Sequence, residues 1–172
     1  MRTATLLPGL FLSLGLALLP AAVLPAETYM LLVETTLDGE ADPSPPAALE
    51  GLMSALFESG QVSFDCGPYS PQADWQNLQF REPLEIAFQG GAHYLATVRL
   101  QARTLPVEDG SPPAFTVRAR FQLWEPPEGA LLGEGSLELD NRTREQELPY
   151  DSLLLRAGEL AAGELQRFAG RR

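Results

Sequence analysis

The segment YLATVRLQAR, residues 94–103, alternates apolar and polar side chains from Ala96 onward. Alternation with a period of two predicts a β-strand that has one buried face. The segments FTVRARFQLW, residues 115–124, and LLGEGSLELD, residues 131–140, continue the pattern. Three such strands in succession predict an antiparallel unit with one apolar and one polar face, and the apolar face requires a covering layer.

The flanking sequence supplies that layer and further strands. Residues 29–37 (YMLLVETTL) and 61–65 (QVSFD) are predicted strands, and residues 82–88 are a predicted short helix. The predicted order is β-α-β-α-β-β-β-α. It indicates an α/β (α+β) two-layer sandwich with a mixed sheet of about five strands and the helices packed on one face.

The first and last helices are predicted from their apolar spacing. The first has an apolar stripe that repeats every three or four residues, with Ser44 as expected N-cap, Pro45 in the first turn and Gly60 as C-terminal cap. Its stripe is Leu49, Leu52, Met53, Leu56 and Phe57. The last helix is expected to be capped by Asp151 or Ser152 and to end at Gly170, and its stripe is Leu154, Ala157, Ala161, Leu165 and Phe168.

Residues 1–26 have the layout of a secretory signal peptide. Arg2 is followed by the uncharged run LLPGLFLSLGLALL, residues 6–19, which is shorter than the roughly 20 residues of a membrane-spanning helix. Small residues follow, so we expect cleavage after Ala26, with Ala22 as the alternative. The remaining residues, 27–172, are predicted to form a single α/β domain that is periplasmic or extracellular and has no transmembrane helix in its mature form.

Composition excludes several functional classes. The chain has 23 acidic and 12 basic side chains and a net charge of -11, so we expect no nucleic-acid partner. All the basic residues are arginine, which excludes lysine-dependent chemistry and suggests a bacterial, GC-rich origin. One Cys and one His cannot form a Cys/His zinc site, and we expect no metal and no cofactor.

No constellation of catalytic residues stands out. Asp65, Cys66 and His93 are the candidates for a small hydrolase, but none has a local signature of nucleophilic catalysis. The acidic run at residues 38–42 lacks the full calcium-loop pattern. We therefore expect no enzymatic activity. A second alternative is a periplasmic carrier of a small ligand or lipid, with its pocket near Gly133 and Gly135, where missing side chains leave space.

The polar face of the predicted sheet is the most informative surface. It carries the predicted partner-binding residues Arg99, Arg103, Arg118, Arg120 and Trp124. Arginine and tryptophan are enriched at protein-binding hot spots. We expect the arginines to meet Glu134 and Glu138 across neighbouring strands.

The segments ALEGLMSALFESGQVSFD and GGAHYLATVRL carry a resemblance to a family. They resemble the small α/β domains of bacterial envelope proteins, namely the TolB amino-terminal domain, the CsgG group and LpoB. Leu52, Leu56 and Gly60 match a helix that leads into a strand, and Gly91, Ala92 and Tyr94 match a later strand entrance. The resemblance covers about 140 residues and supplies no catalytic or ligand residue. Unlike the lipid-anchored members, the chain has no cysteine directly after the signal.

Together these features predict an exported, soluble, non-catalytic protein. It is expected to act as an accessory module that binds an envelope protein partner through the arginine-bearing sheet face.

Overall fold

The structure, a computed structural model, describes residues 26–42, 47–65, 81–108, 111–141 and 149–171. The strands are β1 (Thr28–Leu37), β2 (Glu40–Ala41), β3 (Val62–Asp65), β4 (Tyr94–Leu105), β5 (Ala114–Glu125) and β6 (Ala130–Asp140). The helices are α1 (Ala47–Glu58), α2 (Arg81–Gln89) and α3 (Tyr150–Ala169). The signal-like residues 1–25, Ser44, Pro45 and the predicted irregular segment 67–79 lie outside the described residues.

All described strands form one mixed sheet in the order β2-β1-β4-β5-β6, and β3 pairs with the outer side of β1. β1 is parallel to β3 and β4, whereas β4, β5 and β6 are antiparallel neighbours. The sheet therefore has the predicted mixed character. It contains one strand more than expected, because the two-residue β2 forms where the sequence predicts only a loop.

Helices α1 and α3 cover one face of the sheet and enclose the main core. The buried side chains of β4 and β5 on this face are Tyr94, Ala96, Val98, Leu100, Ala102, Val117, Ala119, Phe121 and Leu123. They contact the apolar stripes of both helices, including Leu52, Leu56, Leu154 and Leu165. This arrangement confirms the predicted two-layer α/β sandwich. No helix among the described residues is long and apolar enough to cross a membrane.

The expected placement of the helices on one face holds for α1 and α3 and needs a correction for α2. Leu84 and Ala87 of α2 pack with Met30, Leu32, Leu95 and Trp124 in a second buried cluster. By strand alternation these four sheet residues lie on the opposite face from the main core. α2 covers one corner of the second face because the sheet is apolar on both sides there.

The helix ends agree with the sequence in one case and differ in another. Gly60 has a φ of 82°, so the expected left-handed cap after α1 is confirmed. The expected caps of α3 are wrong, because the helix begins at Tyr150 and both Asp151 and Ser152 lie within it. Phe57, predicted to belong to the apolar stripe of α1, is 78% exposed.

Two glycines allow α1 and α3 to approach each other at backbone distance. A Cβ on Gly51 would collide with the carbonyl of Leu155, and a Cβ on Gly158 would collide with the carbonyl of Ala48. The helices run parallel, since their contacts advance together from Gly51 and Leu155 to Ser59 and Gln166. Close approach of the backbones thus depends on the absence of two side chains.

Replacing Gly158 by alanine is expected to lower the free energy of unfolding by about 1–3 kcal/mol, because the backbones of α1 and α3 must separate. Gly163 is the matched control, because it lies on the same helix and a Cβ there meets no atom within 4 Å. Gly163→Ala should leave stability unchanged or raise it by about 0.5–1 kcal/mol through helix propensity. Urea denaturation of both variants tests the difference, and equal effects would contradict close helix packing.

Candidate functional site

The polar side chains of β4 and β5 form one continuous patch on the face opposite α1 and α3. The strand register places Arg99 opposite Arg120, Gln101 opposite Arg118, and Arg103 opposite Thr116. We call this patch the arginine surface and define it by Arg99, Gln101, Arg103, Thr116, Arg118, Arg120 and Gln122. The structure thus brings all four predicted arginines to one face.

Acidic residues of the flanking strands border the arginine surface on both sides. On the β1 side, Glu34 accepts a hydrogen bond from Arg99 Nε at 2.6 Å. On the β6 side, Glu138 accepts hydrogen bonds from Arg118 Nε at 3.2 Å and Nη2 at 2.9 Å. Glu134 accepts from Gln122 Nε2 at 3.3 Å. The charge pattern across the sheet is therefore acidic, basic, basic and acidic.

The expected pairing of arginines with β6 is correct for Glu138 and differs for Glu134, which bonds a glutamine. The partner of Arg99 was not predicted, because the sequence gives no indication that β1 pairs with β4. From the sequence, Glu34 could be recognised as a possible partner only through strand alternation, which places it on the same face of β1 as Leu32 and Thr36. Its register partner across the parallel pairing is Arg99.

Unlike Arg99 and Arg118, Arg120 has no ion pair among the described residues, a property it shares with Arg103. It is exposed and lies between Arg99 on β4 and Ser136 on β6. Side chains at directly opposed positions have Cβ atoms about 5 Å apart, and like charges at such positions are destabilising. Arg120 therefore adds an uncompensated positive charge at the centre of the patch, within an acidic protein.

Trp124 lies on the same face of the sheet but is only 7% exposed. It packs with Leu84, Leu95 and Met30 beneath α2. The sequence could not show this burial, because the short helix α2 was expected on the other face. An indole buried in this way stabilises the corner of the sheet, and the exposed part of the candidate site consists of the arginines.

The described structure keeps two of the three hydrolase candidates, Asp65 and His93, apart. Asp65 pairs in register with Leu31, whereas the backbone of His93 bonds that of Thr28, three residues earlier on β1. This offset corresponds to roughly 10 Å along the strand. His93 Nδ1 also accepts a hydrogen bond from the Thr28 amide at 3.0 Å. Cys66 lies outside the described residues.

The space expected near Gly133 and Gly135 for a small ligand is filled. The ring of Phe168 from α3 lies over Gly133, and the ring of Phe121 lies over Gly135. The predicted close approach of a helix is therefore correct, and the carrier pocket at this place is not. Within the described residues, no three His, Cys, Asp or Glu side chains cluster so as to hold a metal ion.

A polar cluster closes the end of the sheet where β1 and β4 begin. The Glu27 carboxylate accepts hydrogen bonds from Tyr94 Oη at 2.9 Å and Tyr29 Oη at 3.2 Å. The Glu27 amide donates to Gln61 Oε1 at 2.7 Å. Burial and the adjacent Glu27 carboxylate raise the pKa of Tyr29 well above its ordinary value, so its hydroxyl remains a neutral donor. These contacts fix the start of β1.

No protein-family model matches the chain, and no curated protein matches it. Solved structures do match. PelC from Paraburkholderia phytofirmans, solved as a dodecamer, is 13% identical with a TM-score of 0.54, and the match covers 82% of this chain and 92% of PelC. At this identity the likeness establishes a shared fold.

Two matched structures belong to proteins named in the sequence resemblance. TolB from Acinetobacter baumannii is 13% identical with a TM-score of 0.43, and the match covers 84% of this chain and 28% of TolB. The C-terminal domain of LpoB from Salmonella enterica is 14% identical with a TM-score of 0.34, covering 69% of this chain and 86% of that domain. Both belong to groups that the sequence resemblance named, and at these TM-scores neither carries an argument about this chain.

The two cross-strand ion pairs are expected to differ in strength. The pair of Arg99 and Glu34 is the more enclosed, with side chains 27% and 16% exposed, against 54% and 58% for Arg118 and Glu138. Double-mutant cycles with glutamine substitutions should give a coupling of about 0.5–1 kcal/mol for the first pair. They should give about 0–0.5 kcal/mol for the second, because exposed pairs are screened by water and salt. A larger coupling for Arg118 and Glu138 would contradict this ranking.

Proposed function

We propose that the chain is an exported, non-catalytic protein of the bacterial envelope that binds another protein through the arginine surface. The observation that carries the proposal is the concentration of four arginines on one open sheet face of a chain whose net charge is -11. Electrostatic complementarity favours a partner that presents carboxylates to this face.

Export is supported by the sequence of residues 1–26 and by the position of Glu27 in the fold. Ala26 is exposed, whereas the Glu27 carboxylate accepts hydrogen bonds from Tyr29 and Tyr94, and the Glu27 backbone nitrogen donates to Gln61. Removal of residues 1–26 would leave the carboxylate contacts in place, and the new terminal ammonium at Glu27 would still be a donor for Gln61. Cleavage after Ala26 is therefore compatible with the folded domain.

A binding role is supported by which arginines form ion pairs and which do not. Arg99 and Arg118 form ion pairs with Glu34 and Glu138, which restricts their rotamers before any partner arrives. Arg120 stands between them without a carboxylate among the described residues. A carboxylate placed over Arg120 would form a charge-assisted hydrogen bond and relieve the repulsion between Arg120 and Arg99. Side chains ordered in advance reduce the entropic cost of binding.

Cleavage of the leader is expected to yield a protein whose first residue is Glu27. Intact-mass measurement after expression of the full chain in a bacterial host tests this, and a start at Val23 would indicate cleavage after Ala22. Ala26→Arg should prevent cleavage at the preferred site, because signal peptidase requires a small residue there. Recovery of the wild-type chain unprocessed in the cytoplasm would contradict export.

Charge reversal at Arg120 is expected to weaken partner capture. Loss of a charge-assisted contact costs about 1.5–3 kcal/mol, so the affinity for an acidic partner should fall by about tenfold or more in Arg120→Glu. The measurement is quantitative capture from envelope extracts of the source organism, at several salt concentrations, with the mature protein immobilised.

Arg167→Glu provides the matched control for this experiment. It makes the same change of charge on the exposed side of α3, away from the arginine surface. This variant should capture the same protein as the wild type, and added salt should weaken that capture. Equal capture by Arg120→Glu and wild type, or no specific capture by either, would refute the proposed role.

A further inference from the structure

The second exposed feature of the sheet is its edge at β6. β6 spans Ala130–Asp140 and has a hydrogen-bonded neighbour, β5, on one side. On its outer side no strand of the described residues pairs with it. The opposite edge of the sheet is different, because β3 and β2 cover the two ends of β1. A long strand with one open side presents a row of backbone donors and acceptors to another chain.

The backbone groups that point outward can be identified from one hydrogen bond. The Asn141 amide donates to the Phe115 carbonyl at 3.2 Å, and these residues are directly opposed in the register of β5 and β6. In an antiparallel pair, hydrogen-bonded and non-hydrogen-bonded positions alternate. From Gly133 to Leu139, beyond the register shift at Leu123 and Trp124, the odd-numbered positions of β6 therefore bond β5. The amides and carbonyls of Glu134, Ser136 and Glu138 point away from the sheet.

The side chains along this edge specify what could pair with it. Glu134 and Glu138 are exposed on the face of the arginine surface. Leu137 and Leu139 are partly buried on the other face, against the main core. A strand added here would need basic side chains opposite the glutamates and apolar side chains beside the leucines. β5 satisfies this rule on the inner side, where Arg118 bonds Glu138 and Val117 lies opposite Leu139.

A second copy of β6 fits this edge poorly. If two copies of β6 paired antiparallel with Ser136 opposite Ser136, Glu134 of each copy would face Glu138 of the other. Like charges would therefore oppose each other at two positions. Opposed like charges destabilise strand pairing, so the glutamates act against self-association. The charge of the edge thus favours a foreign strand of opposite charge.

We propose that the outer edge of β6 is a second binding site, which receives an extended segment of a partner protein by β-strand addition. The segment alternates basic and apolar residues. Its backbone pairs with the outward groups of Glu134, Ser136 and Glu138, and its basic side chains contact the two carboxylates. This site differs from the arginine surface in using outward backbone groups and acidic side chains, and Glu138 borders both.

The test uses a labelled peptide with the sequence AFTVRARFQL, residues 114–123, since this strand pairs with β6 in the structure. The mature protein is expected to bind it saturably with one site, measured by fluorescence anisotropy. Ser136→Pro removes an outward amide and leaves the β5 ladder intact, so it should weaken binding by about tenfold or more. Ser136→Ala keeps that amide and should bind like the wild type.

Charge provides a second and separate arm. Glu134→Arg keeps the backbone of the edge intact and should weaken binding of the same peptide severalfold, and a peptide with both arginines replaced by glutamate should not bind. Thermal denaturation of each variant verifies folding. If Ser136→Pro fails to fold, the proposed edge site is judged from peptide binding by Glu134→Arg. Absence of saturable binding, or equal binding by all variants, would overturn the proposal. Dimerisation of the protein alone that Ser136→Pro abolishes would also overturn it, because the occupant would then be a second copy.

Discussion

The register between β4 and β5 determines what both faces of this protein present. Successive side chains of a strand point to opposite faces, so a shift of one residue would exchange the faces of a whole strand. In the observed register, Val98 opposes Phe121 in the core, and Arg99 opposes Arg120 on the other face. Burial of the apolar side chains of both strands against the helices fixes this register. The same register gathers the arginines, although two of them repel each other.

The helical layer explains why the second face remains open. Gly51 and Gly158 let α1 and α3 pack at backbone distance over the same side of the sheet, which satisfies the apolar side chains there. On the other side, α2 is the one helix of the described residues that packs, over the corner formed by residues such as Leu95 and Trp124. The rest of that face carries polar and charged side chains. Within the described part of the chain, the main core is therefore enclosed by α1 and α3 alone, on the face opposite the arginine surface.

Sequence alternation alone was sufficient to predict β4, β5 and β6 and the common face of Arg99, Arg103, Arg118 and Arg120. Alternation reports which side of a strand is apolar, and here that signal is interrupted only near strand ends, as at Leu95 and Trp124. The features that escaped prediction depend on neighbours remote in sequence. Burial of Trp124 requires the position of α2, and the ion pair of Arg99 requires the parallel pairing of β1 with β4. No local pattern encodes either contact.

Glu138 connects the two surfaces discussed above. Its Oε2 atom accepts two hydrogen bonds from Arg118, and its backbone groups point to the open edge of β6. A carboxylate can accept further hydrogen bonds through its remaining lone pairs, so a basic side chain on an added strand could share Glu138 with Arg118. Sharing would weaken the hold of Glu138 on Arg118 and leave more of the guanidinium charge available on the arginine surface. If both proposed sites bind their partners, Glu138 would link them, and a basic strand at the edge would favour an acidic partner on the face.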